Sequence, residues 1–555
     1  MQVVVPMSGF GERFRRAGYT IPKPLIEIDG KPIIAHVIDM FPGEQDFLFI
    51  CNSDHLATAS YRMEEILKRY CPTGRVVGIP PHNLGPVHAV RQVEHLLDPN
   101  RPVIVNYCDF TCYWDWDHFK QWVVDCNCDG AIPAYKGFHP HSLGSTNYAY
   151  IRETDGWVQD IQEKLPYTDD RMREYASSGT YYFASGQIMS GAFQIMIEQN
   201  LNLGSEFYVS LAYRQLIESH RPVAVYPLQH FMQWGTPEDV AEYNGWSHAF
   251  RQLCEPQPHS SRPIGSIVLP MAGFGQRFVN EGYLSTKPLI PVSGKPMVLQ
   301  AVIHLPVAQQ HAFVLRTDMP GYEEITNTIK VVYPDAVIKT ISGMTEGQAC
   351  TALIGLDALV NSLENVPGPI TFGACDYGAL YDLSVFQTLV DDPTVDVIVW
   401  AVRGHANAAR HPKMYGWIDE MNGTIRRISV KSPLESPATD PIVLGTFTFR
   451  RTEDFRKVVA QLIGRDGRIN GEFYLDSCIN DAIALGLKCQ LFEVDSFMSW
   501  GTPNDLRTFE YWQSCFDKWE RHSYKLEKDA RVDSDALELL KKRYIAAVPL
   551  LLGVK

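Results

Sequence analysis

The sequence predicts two tandem α/β domains, each built on a mixed, mostly parallel sheet, followed by a helical C-terminal extension. Three observations carry this. The chain has 555 residues, too many for one hydrophobic core, since domains typically run to about 50–250 residues. Strand-like apolar runs alternate with stretches of helical periodicity, the pattern of a sheet covered by helices. The second half also repeats the first: Pro6-Met7-Ser8-Gly9-Phe10-Gly11-Glu12-Arg13-Phe14 returns as Pro270-Met271-Ala272-Gly273-Phe274-Gly275-Gln276-Arg277-Phe278. A period of half the chain marks duplication of a whole domain and not a solenoid.

The elements follow in order. Val3 to Met7 reads as a buried strand, followed by the glycine loop and a helix from Pro32 to Met40. Asp46 to Cys51 is a second strand, Val87 to Leu97 a helix, and Arg101 to Tyr107 a third strand leading to Asp109. The other half gives Ile267 to Met271, Met297 to Ile303, Ala312 to Arg316, Ala349 to Leu359 and Pro369 to Ala374, the last leading to Asp376. The echo extends through Lys23-Pro24-Leu25-Ile26 with Lys287-Pro288-Leu289-Ile290 and Gly30-Lys31-Pro32 with Gly294-Lys295-Pro296. It returns at Gly179-Thr180 with Gly445-Thr446, Glu206-Phe207-Tyr208 with Glu472-Phe473-Tyr474, and Trp234-Gly235-Thr236-Pro237 with Trp500-Gly501-Thr502-Pro503. The expected boundaries are 1–253 for the first domain, 254–265 for a Pro- and Ser-rich linker, 266–510 for the second domain and 511–555 for the extension. In the extension, Phe509 to Lys528 and Ser534 to Ala547 read as charged amphipathic helices. Packing on the second domain is the plainer expectation for them, with a homo-oligomer contact as the alternative.

Charge and composition exclude several classes. A net charge of −14 argues against nucleic acid as partner, because such binders need a basic face. The apolar run from Tyr544 to Val554 is too short to span a bilayer and contains Pro549, so no membrane insertion is expected. No signal peptide precedes Val3-Val4-Val5, and the expected location is cytoplasmic. The twelve cysteines show no structural zinc spacing and read as scattered reduced thiols.

A glycine turn after a strand lets backbone N–H groups approach phosphate oxygens. Met7, Ser8, Gly9, Phe10 and Gly11 form one such candidate nest, and Met271, Ala272, Gly273, Phe274 and Gly275 the other. Neither has the ending of a Walker loop or the third glycine of a dinucleotide fingerprint. Arg13 with Lys23, and Arg277 with Lys287, add two fixed cations to each nest, which suits a triphosphate whose leaving pyrophosphate needs charge stabilisation. Asp109 and Asp376 fall at carboxyl ends of strands, where open α/β sheets bind ligands. Asp115-Trp116-Asp117 is better read as a helix cap with an acidic first turn than as a metal motif.

The string from Pro6 to Pro32, with its second copy, resembles the signature of the sugar-phosphate nucleotidyltransferases, or nucleoside-diphosphate-sugar pyrophosphorylases. The resemblance implies a Rossmann-like (GT-A-like) fold in each half. It also implies that a phosphomonoester attacks the α-phosphorus of an NTP and expels pyrophosphate. By position, Arg13 and Arg277 would hold the β- and γ-phosphates, and Lys23 and Lys287 would meet the α-phosphate or the attacking phosphate. Gly85, in Leu84-Gly85-Pro86, and Gly347 match the base-contacting loop. Asp109 and Asp376 match the ligand of catalytic Mg²⁺. Glu163-Lys164 resembles the acceptor pair, Glu for sugar hydroxyls and Lys for the acceptor phosphate, with Gly179 and Gly445 in the acceptor wall. The second copy reads Val430-Lys431, keeping the cation and losing the carboxylate. Many family members carry a second metal aspartate two residues before the Gly-Thr-Pro turn; here Gln233 and Ser499 stand there, with Asp239 and Glu238 as nearby substitutes.

The expected function is therefore nucleotidyl transfer from an NTP to a sugar 1-phosphate or related sugar or polyol phosphate. The product would be an NDP-activated compound for surface (capsule) polysaccharide. Three alternatives stay open: a second domain active on a different acceptor, a second domain that only binds nucleotide, or a glycosyltransferase that consumes an NDP-sugar.

Overall fold

The computed structural model describes residues 1–255 and 262–546. Residues 256–261 of the Pro- and Ser-rich linker, Ala547 and the apolar run beyond it lie outside the described residues. The described residues divide into two compact units, one of Met1–Asn244 together with residues 542–546, the other of Gly245–Lys541.

The first unit is built on a ten-stranded sheet. Its order runs Arg75–Ile79, Phe47–Asn52, Gln2–Met7, Val103–Asn106, Thr180–Phe183, Gly130–Tyr135, Val223–Leu228, Trp157–Glu163, Ala149–Thr154 and Tyr175–Ser177. Val3, Val4 and Val5 are fully buried, as a strand covered on both faces requires. The first four strands in this order pair in parallel, as do Gly130–Tyr135 and Val223–Leu228. Thr180–Phe183 runs antiparallel between these two blocks, and the strands beyond Val223–Leu228 also join antiparallel. The sheet is thus mixed, with its parallel pairing confined to two places.

The second unit repeats this order over nine strands: Val337–Ile341, Gln310–Arg316, Ser266–Pro270, Ile370–Phe372, Ile442–Phe449, Val397–Val402, Cys489–Glu493, Thr424–Val430 and Gly416–Met421. The one strand fewer has a local cause. Ile442–Phe449 is continuous and covers what Tyr175–Ser177 and Thr180–Phe183 do separately, with a bulge opposite it between Val399 and Ala401. The duplication read from sequence is therefore a duplication of topology.

The helix expected from Phe509 to Lys528 is interrupted. A helix spans Pro503–Lys518, and only a short 3₁₀ turn, Leu526–Lys528, follows. The cause is burial of the intervening residues. His522 stacks on Phe516 at 4.1 Å between ring centroids, and Tyr524 bonds Gln513 and Asp529. Gln513 also donates to Ser293 Oγ at 2.9 Å, so this segment packs on the second unit. The last helix is Leu537–Ala546. Asp115 does cap a helix, accepting from the His118 amide at 2.9 Å. Among the described residues no helix is long and apolar enough to cross a membrane, and the twelve cysteines are free thiols.

Candidate active site

Gln2–Met7 and Val103–Asn106 are parallel neighbours, so the glycine loop and Asp109 leave the sheet at the same edge. Thr180–Phe183 is antiparallel to the latter, with Thr180 opposite Asn106, and this returns Gly179 to that edge. Gly179 accepts from the Tyr107 amide at 3.0 Å. A cavity of about 420 Å³ opens there. Its wall includes Gly11, Arg13, Lys23, Asp109, Glu163 and Lys164, and also Gly179. Met7, Ser8, Gly9, Phe10 and Gly85 do not line it.

Gly11 has φ 65° and Gly275 the same value, each at the start of a five-residue helix. So short a helix contributes little dipole, and the cationic character of the site comes from side chains. Lys23, in the 3₁₀ turn Lys23–Leu25, donates to Asp109 Oδ2 at 2.9 Å. Lys287 donates to Asp376 Oδ2 at 2.5 Å. Burial works to lower both lysine pKa values, but the facing aspartate and the neighbouring Cys108 or Cys375 outweigh it, and each is raised. Arg13 and Arg277 are exposed, and their guanidinium groups make no ion pair among the described residues.

Lys164 and Lys431 both adopt left-handed backbone at φ 58°. Lys164 donates to the Tyr208 hydroxyl at 2.6 Å and lies over its ring; Lys431 does the same with Tyr474 at 2.7 Å. Left-handed lysine is uncommon, and its occurrence in both halves with one tyrosine partner argues that the ammonium position is held on purpose. Glu163 accepts from Ser210 Oγ at 2.5 Å. Burial pushes its pKa up, against the lowering effects of that hydrogen bond and Lys164. Tyr208, Glu206 and Ser210 carried no assigned role in the sequence, although the Glu-Phe-Tyr repeat was the signal available.

Gly85 and Gly347 have a structural explanation. A Cβ on Gly85 would lie 2.6 Å from the Phe207 amide nitrogen, and one on Gly347 2.5 Å from that of Phe473. Each loop is pressed against the backbone of the Glu-Phe-Tyr segment. His82 ties this loop to the first, meeting Ser8 Oγ at 3.4 Å and accepting from the Leu84 amide at 3.2 Å. The counterparts of Ser8 and His82 in the other half are Ala272 and Met344, so the second half lacks this tie between its two glycine loops.

The position before each Gly-Thr-Pro turn is also ordered. Trp234 donates its amide to Asp109 O, and Trp500 to Asp376 O, both at 2.8 Å. Gln233 Nε2 donates to Asp239 Oδ2 at 2.6 Å, and Thr236 holds the same carboxylate. With the amide so oriented, Gln233 Oε1 is a buried acceptor without a donor. Among the described residues no three His, Cys, Asp or Glu side chains gather to hold a metal alone. One carboxylate and one amide oxygen still suit Mg²⁺, which keeps several waters and takes its other ligands from substrate phosphates.

Residues 3–235 match the sequence model of the nucleotidyl transferase family. A bifunctional protein GlmU from Burkholderia mallei is 26% identical over 222 residues, 40% of this chain and 45% of that protein. The namesake from Burkholderia multivorans is 27% identical over the same shares. The chain thus spans about half the length of the curated relatives it matches. Among solved structures, a nucleoside-diphosphate-sugar pyrophosphorylase from Vibrio cholerae RC9 is 20% identical, covering 44% of this chain and 99% of that one at a TM-score of 0.36. An inositol-1-phosphate CTP transferase from T. maritima is 14% identical, covering 44% and 94% at a TM-score of 0.34. The likeness to the nucleotidyl transferase family thus lies in residues 3–235, the first half of the chain.

Proposed function

We propose that the chain transfers a nucleotidyl group from an NTP to a sugar or polyol phosphate and releases pyrophosphate. The observation that carries the reading is the single cavity joining Arg13, Lys23 and Asp109 to Glu163 and Lys164. An unpaired arginine, a lysine on an aspartate and a second lysine provide separate seats for a triphosphate and for the phosphate of an acceptor.

In this reading Lys164 and Tyr208 fix the acceptor phosphate while Glu163 accepts from hydroxyls of its carbon skeleton. An acceptor phosphate oxygen attacks the α-phosphorus, the bond from that phosphorus to the β-bridging oxygen breaks, and pyrophosphate leaves with the electron pair. Arg13 stabilises the charge on the leaving group, and Lys23 turns from Asp109 to the α-phosphate. Positioning and charge neutralisation supply the acceleration, with no covalent enzyme intermediate. Asp109 and the Gln233 amide oxygen would hold Mg²⁺, which when bound adds positive charge beside the phosphates.

The second half is read in the same way because Lys287–Asp376 and Lys431–Tyr474 repeat the first geometry. The test is pyrophosphate release from four NTPs against a panel of sugar and polyol phosphates with Mg²⁺. Release that needs one base and one acceptor supports the reading, and binding of NTP without release from any pair refutes it. A place in surface-polysaccharide synthesis follows only if the product is an NDP-sugar or NDP-polyol.

A further inference from the structure

The two halves differ most where the first places Glu163. In the sheet register Glu163 stands opposite Ala149, and it accepts from Ser210 on the helix Val209–Glu218. The matching trio in the second half is Val430, opposite Gly416, with Asp476 on the helix Leu475–Ala484. Ser210 follows Tyr208-Val209 as Asp476 follows Tyr474-Leu475. The acid has changed elements: the strand has lost a carboxylate and the helix has gained one in place of its serine.

The backbone across the ladder has changed with them. A Cβ on Gly416 would lie 2.5 Å from Asp476 Oδ2, so the alanine found at position 149 would not fit while the carboxylate holds its place. Asp476 lies within the field of Lys431 and of Tyr377. Among the described residues no other side chain donates a hydrogen bond to it, whereas Glu163 has Ser210. A phenol has moved as well. Tyr107 in the first half is replaced by Ala374, and Phe110 by Tyr377, whose hydroxyl bonds Thr446.

We propose that Asp476 is the carboxylate that reads acceptor hydroxyls in the second half, acting from a helix where Glu163 acts from a strand. This rests on the nucleotidyl-transfer reading for the phosphate seat at Lys431. A carboxylate with open lone pairs beside a cation suits an ester whose hydroxyls lie next to its phosphate, and a site built on such contacts rejects ligands without them. Because the carboxylate enters from another side, with valine in the old place, the second half takes a sugar or polyol phosphate of different hydroxyl arrangement from the first.

The test uses the full chain carrying Lys164→Ala, so that the first acceptor seat is silent. Calorimetry compares glucose 1-phosphate, inositol 1-phosphate and glycerol 3-phosphate with inorganic phosphate, and thermal melting confirms folding of each variant. One ester should bind at least ten-fold more tightly than inorganic phosphate. Asp476→Asn, and separately Gly416→Ala, should erase that preference while leaving inorganic phosphate unchanged. The double change Val430→Glu with Asp476→Ser should restore a preference with a different order of esters. A preference that survives Asp476→Asn, or no ester preferred at all, overturns the proposal. Selective binding without pyrophosphate release in the same chain would instead refute the nucleotidyl-transfer reading of this half and leave the role of Asp476 standing.

Discussion

Lys23 donates to Asp109 across 2.9 Å from a different segment of the first unit, and Lys287 and Asp376 stand in the same relation in the second. Each pair sets a cation against the residue expected to hold a metal, so substrate binding must part them. Lys23→Ala should lower kcat roughly a hundred- to a thousand-fold, the scale for losing one donor to transition-state charge. Asp109→Asn should act chiefly on the Mg²⁺ dependence. Initial rates at varied Mg²⁺ separate the two, and equal effects from both variants would count against the division of roles.

Tyr208→Phe keeps the ring under Lys164 and removes the hydroxyl that receives its proton. The acceptor KM should rise several-fold with the NTP KM unchanged. A fall in kcat alone would place Tyr208 elsewhere in the cycle.

Gly85→Ala puts a methyl group 2.6 Å from the Phe207 amide nitrogen at φ 86°. The left-handed strain alone costs about 1–3 kcal/mol, and the clash adds to it. The variant should melt several degrees lower and bind NTP more weakly. A wild-type melting temperature would show that the loop is free to move away from the Glu-Phe-Tyr segment.

The acceptor carboxylates should give the reaction an acid limb. Burial raises the Glu163 pKa above the usual carboxylate range, and burial, opposed by Lys431, raises that of Asp476 to about 6. The ionised form accepts hydroxyls, so each acceptor KM rises as pH falls through the pKa of its carboxylate. The limb belonging to the second half should lie near pH 6 and vanish in Asp476→Asn.

Stability should also fall in acid. Burial lowers the pKa of His304 to about 3, with Arg531 adding to the effect, and those of His311 and His405 to about 4. The unfolded chain takes up protons below about 6.5 that the native fold refuses. Stability from these residues is therefore complete above that pH and is lost as pH falls towards 4, at about 1.4 kcal/mol per histidine per pH unit. Urea midpoints at pH 7, 5.5 and 4.5 should decline steadily, and a flat series would show that these rings titrate freely.

Much of this site was legible because its parts sit at ends of strands. The loop at Gly11, Lys23, and Asp109 were readable from apolar runs and a repeat, since parallel neighbours deliver their carboxyl ends to one edge. Gly85 was legible only through the resemblance, as part of a base-contacting loop; its steric need for glycine was not, because the Phe207 backbone arrives from a distant segment. Asp476 was hidden by position: a motif compared residue by residue shows valine for glutamate at position 430, and the compensating change lies on another element. The break after Lys518 was hidden because Tyr524 and His522 fit a helical pattern, while tertiary burial decided their conformation.

The strand order shared by the two sheets has a consequence for folding. Strand Gln2–Met7 and strand Ser266–Pro270 are both short and apolar, and each occupies the same slot in its own sheet. In a chain refolding from denaturant both slots are vacant together, and a strand can enter the wrong sheet, the usual failure of tandem homologous domains. During synthesis the first sheet closes before most of the second has emerged, so vectorial growth separates in time what topology leaves alike. Recovery from urea should accordingly fall short of yield from translation, and separate expression of the halves should narrow the gap.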